Sequence, residues 1–128
     1  MKINIPASIG ELFDKITILE IKKLKIKDKN KIIFINKELN LLKKVVKSKK
    51  INTRSLSPLI KKLKNINLKL WNVEDKLRKF EKNKQFKKDF INYARKVYYT
   101  NDKRAILKNE INLKTNSLIS EVKSYEKY

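Results

Sequence analysis

The segment LIKKLKNINLKLWNVEDKLRKF, residues 59–80, decides the fold. Leu59, Leu63, Ile66, Leu70, Val73, Leu77 and Phe80 follow one another in steps of four and three, the spacing that lines up one face of an α-helix as an apolar seam. As a helix the segment runs about 33 Å. Beside the seam lies a second file, Asn67, Trp71, Glu74 and Arg78, with Asp75 on its far edge. It is a polar and aromatic flank to a core.

Toward the amino terminus, Ile3 and Ile5 alternate before Pro6 and read as an extended lead. Ser8 and Glu11 have the spacing of a capping box, so a helix is expected from Ser8 to about Lys27, with Ile9, Leu12, Phe13, Ile16 and Leu19 on its apolar face. Asp28 to Lys31 reads as a short connection, and Lys31 to Lys47 as a second helix along Ile32, Ile35, Leu39, Leu42 and Val46. Ser48 to Ser57 reads as a loop, with Ser57 capping the central helix and Pro58 in its first position. Beyond a break near Asn83, Phe86, Phe90, Tyr93 and Val97 give a shorter fourth helix. Thr100 and Asn101 then serve as caps for a fifth, running along Leu107, Ile111, Leu118 and Val122 toward Tyr125. The expectation is an all-α single domain over residues 1–128: an elongated antiparallel bundle of about five helices behind a short extended lead.

Composition removes several chemistries. The chain has no Cys and no His, which excludes thiol catalysis, Cys/His zinc sites and His-dependent nucleophiles. The longest apolar run, Ile32 to Ile35, is too short for a membrane span, and Pro6 and Glu11 interrupt what would be a secretory core, so a cytoplasmic protein is expected. The net charge of +21 suggests nucleic acid, above all through the acid-free region holding Lys43, Lys44, Lys47, Lys49, Lys50, Arg54, Lys61, Lys62, Lys64 and Lys69. An A/T-rich gene also enriches Lys, Asn and Ile on solvated helix faces. Residues held against that bias are Pro6, Gly10, Trp71, Ala105, Arg54, Arg78, Arg95 and Arg104.

Two clusters emerge as candidates for chemistry. Glu20 falls within the apolar face of the first helix and needs a cation or ligand. Helix rise in an up-down arrangement sets it level with Trp71, below Glu74 and Arg78. Glu74 and Arg78 could simply pair with each other. Alternatively Arg78 binds an anion, Trp71 offers a stacking face, and Glu20, Glu74 and Asp75 hold hydroxyls or Mg²⁺. The second cluster would join Glu11, Asp14 and Lys15 to Asn101, Asp102 and Arg104 if the two helices start at the same end. No cofactor is expected other than Mg²⁺, whose candidate ligands are Glu11, Asp14, Glu74 and Asp75.

Three motifs carry a resemblance. Ile5-Pro6-Ala7-Ser8-Ile9-Gly10-Glu11 with Asp14-Lys15-Ile16-Thr17-Ile18-Leu19-Glu20-Ile21-Lys22, then Leu70-Trp71 with Glu74-Asp75, Arg78 and Glu81, then Val97-Tyr98 with Thr100-Asn101-Asp102-Lys103-Arg104-Ala105, Lys108 and Ile111-Asn112, together resemble a family of short helical bacterial proteins of unknown function. The likeness spans nearly the whole chain and is weakest from Leu39 to Ser57. Members of that family are met beside or fused to glycosyltransferases, so the resemblance implies a setting in surface-polysaccharide synthesis. The function expected is an accessory in glycoconjugate assembly that binds an anionic sugar, a nucleotide sugar or a glycosyltransferase. The alternatives are a nucleic-acid-binding protein using Lys43 to Lys69, an Mg²⁺-dependent helical nucleotide pyrophosphohydrolase, and a homodimer formed by extending the central seam into a second copy.

Overall fold

A computed structural model describes residues 1–128 as four helices without a strand: α1 (Ile9–Lys25), α2 (Lys29–Ser48), α3 (Thr53–Lys82) and α4 (Lys88–Lys114). The fold is all-helical, with four helices where five were expected. The two segments expected on either side of Thr100 are one continuous α4. Thr100 is buried in its middle, and the Asn101 side chain is used sideways, accepting from Arg104 Nη1 at 3.5 Å. Residues with good capping chemistry stay helical here because Thr100 is buried and the Asn101 side chain is engaged by Arg104 one turn on.

α3 also starts earlier than the sequence suggests. Asn52, not Ser57, is its cap, its Oδ1 accepting the Ser55 N–H at 3.2 Å, and Pro58 lies inside the helix. The extra turn brings Leu56 into the core at 1% exposure, which offsets the backbone hydrogen bond that Pro58 cannot donate. α2 begins at Lys29 because the Asp28 carboxylate accepts the Asn30 and Lys31 amides. The fifth helix does not reach Tyr125. At Thr115 the hydroxyl donates back to the Ile111 carbonyl at 2.7 Å, and Asn116 turns the chain with φ 51°.

α2, α3 and α4 share one ending. Lys50, Lys84 and Asn116 stand in the left-handed region at φ 52°, 54° and 51°. The amides of Ile51, Gln85 and Ser117 reach back to the carbonyls of Val46, Phe80 and Asn112, closing a Schellman turn each time. Glycine usually fills that position, but the single Gly of this chain is employed elsewhere.

α1 packs against all three other helices, whereas α2 approaches only α1 closely. α3 and α4 run in opposite directions, with Phe80 meeting the edges of Phe90 and Tyr93 at one end and Lys114 reaching the Ser55 carbonyl at the other. The main core takes Phe13, Ile16 and Leu19 from α1, Ile35 and Leu39 from α2, Leu56 and Leu63 from α3, and Ile111 from α4. The seam of residues 59–80 is used within the chain, since Leu63, Leu70, Val73 and Phe80 are buried and Leu59, Ile66 and Leu77 half-buried. No helix is long and apolar enough to cross a membrane.

Candidate functional site

Seven of the 21 buried residues are polar, namely Ser8, Asp14, Thr17, Asn67, Thr100, Lys108 and Asn112. Most gather where α1 lies on α3 and α4. Gly10 allows that approach: a Cβ there would stand 2.3 Å from the Lys108 carbonyl oxygen, and the Gly10 amide donates to Asn112 Oδ1 at 2.7 Å. The only glycine of the chain is thus required by contact between helices, not by backbone twist.

One turn on, Asp14 is completely buried. Arg104 grips it with a two-pronged contact, Nε to Oδ1 at 2.8 Å and Nη2 to Oδ2. Asn67 of α3 donates to the same Oδ1 at 2.9 Å and to Thr17 Oγ1 at 3.0 Å, while the Thr17 hydroxyl donates to the Asp14 carbonyl. Burial on its own would raise the Asp14 pKa. The hydrogen bonds from Arg104 and Asn67, with the positive charges of Arg104 and Lys108, outweigh it and hold the carboxyl below its ordinary 3.8. Arg104 is shifted upward by its hydrogen bond to Asp14, against the effect of its own burial.

Lys108, 7% exposed at its side chain, lies between Glu11 of α1 at 2.9 Å and Glu121 of the carboxy-terminal segment at 2.8 Å. Burial would lower its pKa, but hydrogen bonds to Glu121 and Glu11 and the nearby Asp14 charge raise it. The Ser8 hydroxyl does cap α1, accepting the Glu11 amide at 3.0 Å. The other half of the expected capping box is absent because the Glu11 carboxylate is drawn to Lys108.

Much of the second sequence cluster is therefore assembled: Asp14, Arg104 and Asn101 meet directly, and Glu11 joins them through Lys108. Asp102 faces away to accept from the Tyr128 hydroxyl, whose pKa that hydrogen bond pushes up to about 12, and Lys15 pairs with Glu38 of α2. Lys108 and Asn67 were missed as its partners. Their lysine and asparagine identities carry no signal in a chain rich in both.

The first cluster is divided. Glu20 finds the cation it needs in Lys64 at 2.7 Å, seven residues before Trp71 on α3, so it does not join the Trp71 file. The reason is direction: Glu20 comes after Asp14 and Thr17 on α1 but meets Lys64, which comes before their partner Asn67 on α3, so α1 does not run along α3 in step with it as the expected up-down arrangement requires. Trp71 is half-buried and Glu74, Asp75 and Arg78 are exposed, and none of the four has a side-chain hydrogen bond or ion pair. The Glu74–Arg78 pair does not form. The four acids proposed for Mg²⁺ do not converge: Asp14 is saturated by Arg104 and Asn67, Glu11 is held by Lys108, and Glu74 and Asp75 stand elsewhere on α3.

A family model described as "Family of unknown function (DUF6165)" matches residues 1–128, the whole of the chain. No curated protein and no solved structure matches it.

Proposed function

The chain belongs to this family of unknown function, and on that premise we propose that it is a cytoplasmic accessory protein of bacterial glycoconjugate assembly that binds an anionic sugar or nucleotide-sugar ligand. We read its architecture as an elongated antiparallel bundle that presents the binding face along α3. The observation that carries the reading is the free Arg78 guanidinium, which has no acid within ion-pairing distance although Glu74 lies one turn away on the same helix. Arg104, by contrast, is engaged by Asp14 and Asn101. Trp71, Glu74, Asp75 and Arg78 share the spacing of one helix face, so a planar base or sugar ring could lie on the half-buried indole while Arg78 takes its phosphate or carboxylate and the two acids accept hydroxyls.

The elongated reading is supported by surface area. The chain exposes 10036 Å², where a compact monomer of its mass exposes about 7,100 Å².

A thermal-shift screen with nucleotide sugars, sugar phosphates, free nucleotides and short DNA tests the role. A ligand confined to the native state at a hundred times its Kd stabilises by about 2.7 kcal/mol. We expect at least one phosphorylated sugar or nucleotide to raise the melting temperature of the wild type and to lose that effect in Arg78→Met. An equal shift in both proteins, or a shift with DNA alone, would overturn the assignment. The DNA result would transfer function to the basic surface around Arg54, Lys61 and Lys64, which line a groove of about 450 Å³.

A further inference from the structure

The carboxy-terminal segment from Thr115 to Tyr128 has no regular structure, yet polar contacts pin it across the junction of α1 and α4. Ser117 Oγ accepts the Ile9 amide at 3.2 Å. Asn109 grasps the main chain of Glu121 from both sides, its Oδ1 accepting the Glu121 N–H at 3.2 Å and its Nδ2 donating to the Glu121 carbonyl at 3.1 Å. Asn112 steadies that carboxamide, donating to Asn109 Oδ1 at 3.3 Å. Beside the clamp, Lys108 takes the Glu121 side chain. Two points on a peptide backbone and one carboxylate are thus recognised together, the chemistry by which a surface reads an extended segment.

Between Ser117 and Tyr125 the apolar residues contribute little, Ile119 alone being more than half covered, while at the far end Tyr128 packs on Tyr98 and Tyr99 and donates to Asp102. Leu118, Val122 and Tyr125 are 102%, 88% and 73% exposed, so docking buries almost no apolar surface from them. Residues 117–121 are held mainly by polar contacts, and such a stretch opens at lower cost than one packed through apolar side chains. The cleft beneath keeps its form without it, because Asn112 is also held by the Gly10 amide and Lys108 by Glu11.

We infer that the Lys108–Asn109 cleft is a docking site for an extended, glutamate-bearing segment of an acidic partner protein, and that residues 117–121 occupy it in cis until the partner displaces them. The net charge of +21 selects among occupants: it draws an acidic partner from a distance and repels a second copy of the same chain. Neither Trp71 nor Arg78 takes part, so this inference goes beyond the ligand-binding role above and stands or falls separately.

The probe is a fluorescent peptide with the sequence of residues 115–128, TNSLISEVKSYEKY. Titrated by anisotropy against the full chain, it competes with the attached segment, whose effective concentration is high. Glu121→Lys sets a like charge against Lys108, frees the cleft without touching the core, and is expected to bind the peptide at least ten-fold more tightly than wild type. Asn109→Ala in the Glu121→Lys background is expected to lose that gain, as is a peptide carrying Lys in place of the glutamate that corresponds to Glu121. Equal or undetectable binding to wild type and Glu121→Lys would overturn the inference, as would indifference to the peptide glutamate that corresponds to Glu121. A wild-type dimer that the peptide dissociates would reassign the cleft to a second copy and overturn the partner.

Discussion

Asp14 and Arg104 show how a charge can be stable inside a small helical protein. A buried carboxylate is costly, and this one is tolerated because Arg104 and Asn67 fill its lone pairs and Thr17 completes the network. Replacing Arg104 by Met leaves the acid buried with Asn67 alone, and we expect a loss of about 3–5 kcal/mol at pH 7 by urea denaturation. The pH dependence carries a definite sign. In the wild type the Asp14 pKa is lowered in the folded state, so its contribution is present above about pH 4 and is lost as pH falls through the folded value. In Arg104→Met burial dominates and raises that pKa, so protonation relieves the variant. The stability difference between the two proteins should therefore narrow from pH 7 to pH 3. A constant difference would mean that Arg104 acts by packing and not by neutralising Asp14. The need for a partner was legible in the sequence for Glu20, which interrupts an apolar face, and similarly for Asp14, which falls between Ile18 and Ile21 on the helical wheel. Asp14 was legible as a member of a cluster, but nothing local in the sequence reveals that Asn67 would complete it from α3.

The same contrast holds for whole elements. The seam from Leu59 to Phe80 was readable because a buried helix face imposes its own period on the sequence. Boundaries were harder, because Asn52 and Ser57 are both competent caps and the choice falls to the burial of Leu56, a tertiary event. Thr100 and Asn101 mislead for the same reason, and Leu118 and Val122 continue an apolar rhythm after the helix has ended at Lys114. The ends themselves carry no glycine signal, since Lys50 and Lys84 adopt the left-handed conformation against their preference. A non-glycine residue there costs about 1–2 kcal/mol, partly offset by the entropy that glycine loses on folding. Lys50→Gly and Lys84→Gly should each stabilise the protein, by about 0.5–1 kcal/mol, in equilibrium urea melts. Both side chains are exposed, so no packing is lost. A destabilising effect at either site would show that the lysine stem, and not the turn, closes its helix.

For the molecule as a whole, charge and shape act on one another. Lys and Arg number 34 against 13 Asp and Glu, and only six ion pairs join them within the chain. Most lysines therefore face one another across solvent, and their repulsion opposes folding. They are spread over a surface of 10036 Å². At 10 mM salt the screening length is about 30 Å, comparable to the molecule itself, and at 0.15 M it is about 8 Å. Raising salt over that range removes the long-range repulsion but barely touches Arg104 on Asp14 or Lys108 between its two glutamates, which are in contact and largely shielded from solvent. The melting temperature should consequently rise with sodium chloride, and about 1 kcal/mol of relieved repulsion would appear as roughly 4 °C in a domain of this size. A fall instead would mean that attraction among exposed pairs such as Lys15–Glu38 and Lys64–Glu20 outweighs the excess of lysines. A rise would identify +21 as a load the fold carries in isolation, and one that any polyanionic ligand or acidic partner relieves on binding.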